Sequence, residues 1–169
     1  MTDRAFLEPF EPDRDEAYYT LKVQRQILAK ADADRAAGAA FAFAIAERAS
    51  GAIVGTITLS MVVRAAWQNA MLGYWVAQAS GGRGYATAAV GQVVALAFDE
   101  HGLGLHRVQA GVMPRNVRSI RVLEKNGFRR EGLAERYLRI AGVWEDHLLF
   151  ARTAEEHGGG AVRRSANEL

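Results

Sequence analysis

Between Ser80 and Val90 the chain reads SGGRGYATAAV, with glycine at 81, 82 and 84, one arginine among them, and a helix-forming run directly after. A strand that enters a helix through glycines leaves several backbone N–H groups without intrahelical acceptors, pointing outward and reinforced by the helix dipole. Such an arrangement binds anions. Side chains at Gly81, Gly82 and Gly84 would hold a bulky phosphate away from those amides, and glycine tolerates the positive φ that a nest of N–H groups requires. Arg83 adds a positive charge at the rim. Two familiar phosphate loops do not fit: a P-loop ends in Gly-Lys-Ser/Thr where this one ends in Gly84-Tyr85-Ala86-Thr87, and the dinucleotide fingerprint needs a third glycine. Taken alone, the stretch is either an anion site or a tight strand-to-helix connection.

Other chemistries are narrowed by composition. The chain has no cysteine, which excludes disulfides, thiolate metal sites and cysteine nucleophiles. Its four histidines show no metal-ligand spacing, so no metal is expected. The formal charge is only +2, yet residues 107–139 hold eight Arg and one Lys against three Glu, while residues 1–34 hold eight acids against five bases. A basic half in a nearly neutral chain suits a phosphorylated small molecule better than a nucleic-acid track, for which the whole domain is usually basic. The same arginines also read as a solvated face. Arginines not interleaved with aromatic residues speak against single-strand nucleic-acid binding. No apolar run approaches the roughly 18 to 20 residues of a bilayer helix, and the N-terminus is acidic where a signal peptide is basic. The expected address is the cytoplasm, without a membrane partner.

The elements that must position this loop follow from periodicity. At 169 residues the chain has the length of one domain. Val23, Ile27 and Ala31 stand four apart, predicting a helix from about Tyr18 to Ala37 with Gly38 as its stop. AFAFAIAE (Ala40 to Glu47) and the β-branched IVGTITLS (Ile53 to Ser60) read as an antiparallel hairpin. A polar connection reaches Asn69, after which AMLGYWV predicts a third strand ending near Val76. The glycine loop then feeds a helix from about Tyr85 to Glu100 with Ala86, Val90, Val93 and Ala97 on one stripe. HRVQAGV (His106 to Val112) reads as a buried strand, and NVRSIRVLEKNGF as a short helix closed by Gly127. FRREGLAERYLRI and VWEDHLLFAR flank Ala141-Gly142 as a long hairpin. The domain is predicted to span residues 1–152, with 153–169 a flexible tail. The result is an α+β domain that brings two helix N-termini, at Tyr85 and Val117, near one sheet edge.

LGYWVAQASGGRGYATAAV, then GLHRVQAGVMPRNVRSIRVLEKNGFRREG, then YLRIAGVWEDHLLF resembles the GNAT N-acetyltransferases, and among them the RimJ/RimL type that acetylates protein N-termini. The resemblance covers roughly Phe41 to Arg152. It implies the GNAT fold, a mixed and mostly antiparallel sheet flanked by helices, and transfer of an acetyl group from acetyl-CoA, the cosubstrate, to a primary amine. The acceptor it implies is a protein N-terminal α-amine, with small molecules as alternatives. FLEPFEPDRDE (Phe6 to Glu16) looks like a segment that follows an opening strand and helix in RimJ-type proteins, so those two elements are expected to be absent. An exposed sheet edge would result, and a homo-oligomer, a dimer or larger, is expected to cover it.

In that family the pattern Q/R-x-x-G-x-G/A grips the pyrophosphate, and here it falls on Gly81 to Ala86. Gly81 replaces the usual side chain, so the contacts carried over are those of Gly82, Arg83, Gly84, Tyr85 and Ala86. The thioester lies where two parallel strands splay, here the strands ending near Val76 and Val112, with a backbone N–H at Val76 or Ala77 as the oxyanion donor. The resemblance puts Asn116 on the pantetheine arm and Ser119 beside the sulfur; read from the residues alone, Asn116 is the N-cap of the next helix and Ser119 a first-turn residue. Arg118, Arg121 and Lys125, on the helix after Asn116, would reach the 3′-phosphate or the adenine end of CoA. Glu135, Tyr137, Asp146 and His147 lie on the hairpin of the acceptor side; Glu135 is the chosen general base, and Asp146-His147 reads as structural. A non-catalytic acyl-CoA-binding or protein-interaction module on the same fold is the alternative.

Overall fold

The computed structural model describes residues 3–158. Six strands form one sheet in the order β1-β2-β3-β4-β6-β5: β1 Phe41–Ala46, β2 Ile53–Val63, β3 Asn69–Val76, β4 Arg107–Val112, β5 Arg129–Ile140 and β6 Val143–Thr153. Among the described residues five α-helices accompany them: α1 Arg4–Leu7, α2 Leu21–Ala36, α3 Tyr85–Phe98, α4 Val117–Lys125 and α5 Ala154–His157. All neighbouring strands are antiparallel except β3 and β4. The predicted α+β architecture is the observed one.

Period-2 patterning explains the core. Ile57 and Leu59 on β2, Ala70 and Leu72 on β3, Val108, Ala110 and Val112 on β4, and Leu148 and Phe150 on β6 alternate onto one face. Val90, Val93, Val94 and Ala97 of α3 and Leu123 of α4 close over it. Helix α3 packs across β1 to β4 and against α4. Asn126, just past α4, ties the two helices: its side-chain amide donates to Val122 O at 2.9 Å and to Thr87 O, in the first turn of α3, at 3.2 Å. The hairpin turn at Ala141-Gly142 takes φ of 45° and 80°, the left-handed conformation that a two-residue connection requires.

Several boundaries differ from the sequence reading. Helix α2 begins at Leu21, because Thr20 caps it by accepting from Val23 N, and Glu16–Tyr19 forms a separate 3₁₀ turn capped by Asp15. Strand β2 runs three residues past Ser60. The expected tail is ordered at its start: β6 extends through Thr153, whose backbone N–H and hydroxyl both reach Glu156 in a capping box that opens α5. The rest of the expected tail, 159–169, lies outside the described residues. Among the described residues no strand precedes Phe41, so β1 stands at the sheet edge; Arg35 of α2 donates to Ala42 O on its outer side at 2.8 Å.

Gly55 of β2 is packed directly on the backbone of β3, its partner strand. A Cβ on Gly55 would sit 2.2 Å from Trp75 O and 3.0 Å from Val76 Cα, both backbone atoms. Gly55→Ala is therefore expected to cost about 3 kcal/mol, the upper end of overpacking, and to lower Tm by about 10 °C. A Cβ on Gly73, on the facing strand, would meet nothing within 4 Å. Gly73→Ala in the same melting experiment is expected to shift Tm by no more than about 2 °C, the range of an unstrained surface change.

Candidate active site

Parallel pairing between β3 and β4 lasts for three rungs only, Asn69–Arg107, Ala70–Val108 and Met71–Gln109. Beyond Met71, β3 continues to Val76 on β2, and β4 continues to Val112 on β6, without pairing to each other. A wedge opens between two strands whose backbones each keep one unpaired side. Ala77 N donates to Val54 O at 2.8 Å, so the preceding residue, Val76, turns its N–H away from β2 and toward the wedge. Of the two N–H groups expected at this place, that of Val76 faces the wedge and that of Ala77 is spent on the sheet.

After Val76, a 3₁₀ turn at Gln78–Ser80 delivers the chain to the glycine loop. Gly82 and Gly84 have φ of 75° and 84°, and a Cβ at either would meet nothing within 4 Å. The glycines are thus required by backbone conformation, and the space over them is open. Gly84 is the N-cap of α3 and brings no side chain to cap it. Helices α2 and α4, by contrast, are capped by Thr20 and Asn116. The N–H groups of Gly82, Arg83, Gly84, Tyr85 and Ala86 donate to no acceptor among the described residues. Five successive amides at an uncapped helix N-terminus are a ready anion site.

The Arg83 side chain does not extend freely over the rim as expected. Its Nη2 lies 2.6 Å from Glu47 Oε1, at the end of β1, and the Tyr85 hydroxyl donates to the same oxygen. Ser50 donates to Glu47 Oε2 at 2.7 Å. Hydrogen bonds from Ser50, Tyr85 and Arg83 together hold the Glu47 carboxyl down at about 2, and the same carboxylate raises the Tyr85 phenol. Glu47 therefore stays ionised at any working pH and fixes both side chains at the loop's flank. No sequence motif marks it; an acid at the end of an alternating strand looks like an ordinary turn residue.

Helix α4 faces the wedge with its first turn. Asn116 Oδ1 accepts from Ser119 N at 3.2 Å, so the N-cap reading of Asn116 is realised in this structure. The Ser119 hydroxyl lies 2.9 Å from the hydroxyl of Tyr74, which stands on the stretch of β3 that has no β4 partner. Burial pushes the Tyr74 phenol up to about 12, so it remains protonated. Sequence reading missed Tyr74, which looks like any aromatic strand residue. Arg118, Arg121 and Lys125 are exposed on one stripe of α4, and no carboxylate pairs with them among the described residues.

The hairpin residues separate into two groups. Opposite Asp146, β5 carries an irregularity between Ala134 and Leu138, with Arg136 at φ 48°. Asp146 Oδ1 accepts from Arg136 N at 2.8 Å and stabilises that bulge. His147 is buried, contacts Glu145 O through Nδ1 at 2.9 Å, and packs its ring 5.7 Å from that of Tyr137, close to Gly111. Asp146 and His147 are both engaged structurally, in keeping with their reading. Glu135 is exposed on the bulge, without a hydrogen-bond or ion-pair partner among the described residues. The arginine-rich half is also less basic than its sequence suggests: Arg107 pairs with Glu131, Arg115 with Glu145, and Arg129 with Glu131 and Glu156.

With this geometry in hand, the likeness to known proteins is specific. The profile of the acetyltransferase (GNAT) domain matches residues 1–129. The probable N-acetyltransferase YjcK of Bacillus subtilis (strain 168) is 42% identical over 149 residues, spanning 88% of this chain and 81% of that protein. The ribosomal protein uS5-alanine N-acetyltransferase of Escherichia coli (strain K12) is 34% identical over 154 residues, spanning 91% and 78%. Among solved structures, Mycobacterium smegmatis RimJ in complex with CoA-disulfide superposes with a TM-score of 0.85 at 38% identity, spanning 91% of this chain and 73% of that one. A family match over most of the chain, together with relatives more than 30% identical across most of their own length, means that this chain belongs to the GNAT acetyltransferases as an N-acetyltransferase.

Proposed function

We propose that the chain transfers the acetyl group of acetyl-CoA to a protein or peptide N-terminal α-amine. The observation that carries this reading is the row of five unpartnered amides from Gly82 to Ala86, directly beside the β3–β4 wedge. In it, these amides hold the diphosphate, Asn116 lies along the pantetheine arm, and the thioester enters the wedge. Val76 N–H then faces the carbonyl oxygen on which negative charge develops, where a fixed donor is worth most. Ser119 Oγ–H faces the sulfur as it departs. The C–N bond forms, the C–S bond breaks, and the electron pair stays on sulfur.

Proton bookkeeping favours an α-amine. With a pKa near 8, about a tenth of an α-amine is already neutral at pH 7, whereas a lysine amine near 10.4 costs roughly 3 kcal/mol more to neutralise. An exposed carboxylate such as Glu135, which we assign as the base, suffices for the easier case. The names of the relatives agree: the E. coli protein acts on an alanine of ribosomal protein uS5.

Thiol release with acetyl-CoA and an amine panel tests the acceptor. Turnover is expected with a peptide that begins with alanine, and not with the same peptide blocked at its N-terminus. Equal turnover of the blocked peptide through its lysines would overturn the α-amine assignment. The reading includes a homo-oligomer in which a second copy covers the β1 edge; a monomer in light scattering at micromolar concentration would contradict that part.

A further inference from the structure

Resting on the reading of Ser119 as the donor to the departing sulfur, we propose that Tyr74 is its positioning residue, donating to Ser119 Oγ so that the serine hydrogen points into the wedge. The two hydroxyls lie 2.9 Å apart, and the Tyr74 oxygen is also 3.2 Å from Ser119 O. Each hydroxyl has one hydrogen, which allows two arrangements. In one, Tyr74 donates to Ser119 Oγ and the serine hydrogen is free. In the other, Ser119 donates to the phenol and the phenol donates to the Ser119 carbonyl. The second arrangement turns the serine hydrogen toward Tyr74 and away from the wedge. A sulfur acceptor in the wedge selects the first, in which Ser119 reaches the sulfur and both hydroxyls still donate. A bond donated into Oγ also polarises the serine O–H and strengthens what it donates onward.

The pair acts by hydrogen bonding rather than by giving up a proton. Burial holds the Tyr74 phenol at about 12. Against a thiol near 8.5, full transfer from the phenol is disfavoured by a factor of about 3,000. The thiolate is carried by Ser119 and Tyr74 as the C–S bond breaks and takes its proton from solvent, while the proton lost by the amine leaves through Glu135 to solvent, so the protons balance. The position suits the role: Tyr74 lies on the part of β3 without a β4 partner and comes from 45 residues away to meet the first turn of α4.

A double-mutant cycle tests the proposal, with thiol release from acetyl-CoA and a peptide beginning with alanine. Tyr74→Phe keeps the ring and removes only the hydroxyl. It is expected to lower kcat about tenfold, the scale of one hydrogen bond to a developing charge, with KM for acetyl-CoA unchanged within about twofold. In the Ser119→Ala background the same change is expected to cost nothing further, so the double variant matches Ser119→Ala within about twofold. Losses that multiply, or a Tyr74→Phe enzyme with wild-type kcat, would overturn the proposal. Loss of the cooperative melting transition in Tyr74→Phe would make Tyr74 a packing residue and also overturn it. Wild-type kcat in Ser119→Ala alone would instead remove the serine's role on which the proposal rests, a result distinct from the others.

Discussion

Gly84→Val is expected to lower kcat/KM for acetyl-CoA by about 100-fold, the equivalent of losing two hydrogen bonds to a charged group. Gly84 combines the two features that make the substitution severe. Its φ of 84° belongs to the left-handed region, where a β-branched residue is strained by about 1–2 kcal/mol. A side chain there would also grow into the open space over the amides of Gly82 to Ala86. The control is Gly38→Val: Gly38, just past α2, has a φ of 68° and equally open surroundings, so it carries the same backbone strain away from the loop. It is expected to lower Tm by a similar few degrees and to leave kcat/KM unchanged. Equal kinetic losses in both variants would attribute the Gly84 effect to strain alone.

Ser119→Ala is expected to lower kcat by about tenfold to a hundredfold, at the low end of general acid–base contributions because a thiol near 8.5 is already a tolerable leaving group. Alanine retains the backbone N–H that Asn116 Oδ1 accepts, so the cap of α4 survives and KM for acetyl-CoA should change by no more than about threefold. That separation of kcat from KM distinguishes a role at the sulfur from a role in building the helix. An unchanged kcat at saturating acetyl-CoA would remove Ser119 from the chemistry.

What the sequence made legible is what local chemistry dictates. Gly82 and Gly84 announce positive φ, Gly127 closes α4, and Ala141-Gly142 turns the last hairpin, because each requirement is met within a few residues of chain. The stripe on α3 likewise declared its buried face, where Val90, Val93 and Ala97 lie. Illegible were the contacts made by elements distant in sequence. Glu47 meets Arg83 and Tyr85 across 36 and 38 residues, Asn126 meets Thr87 across 39, and Tyr74 meets Ser119 across 45. Each is an unremarkable residue on its own element, and only the packing of α3 and α4 on the sheet gives it a partner. The pairing of Arg83 with Glu47 shows the consequence most plainly: a lone arginine in a glycine loop reads as a free charge until the end of a strand 36 residues earlier is placed beside it.

The order in which β3 and β4 separate also has physical content. Three paired rungs hold the strands together at one end, and the wedge exposes backbone groups that a continuous sheet would have consumed. Those groups are invisible to motif reading, since every residue has them. Their unpaired state comes from topology.

The central claim is that main-chain amides from Gly82 to Ala86 hold the diphosphate and so aim the thioester into that wedge. A crystal structure of the chain with CoA tests it most directly. The account predicts diphosphate oxygens within about 3 Å of those backbone nitrogens, the ordinary hydrogen-bond distance, with the sulfur beside Ser119 between β3 and β4. A diphosphate bound elsewhere on the surface, with the loop amides facing only water, would contradict it.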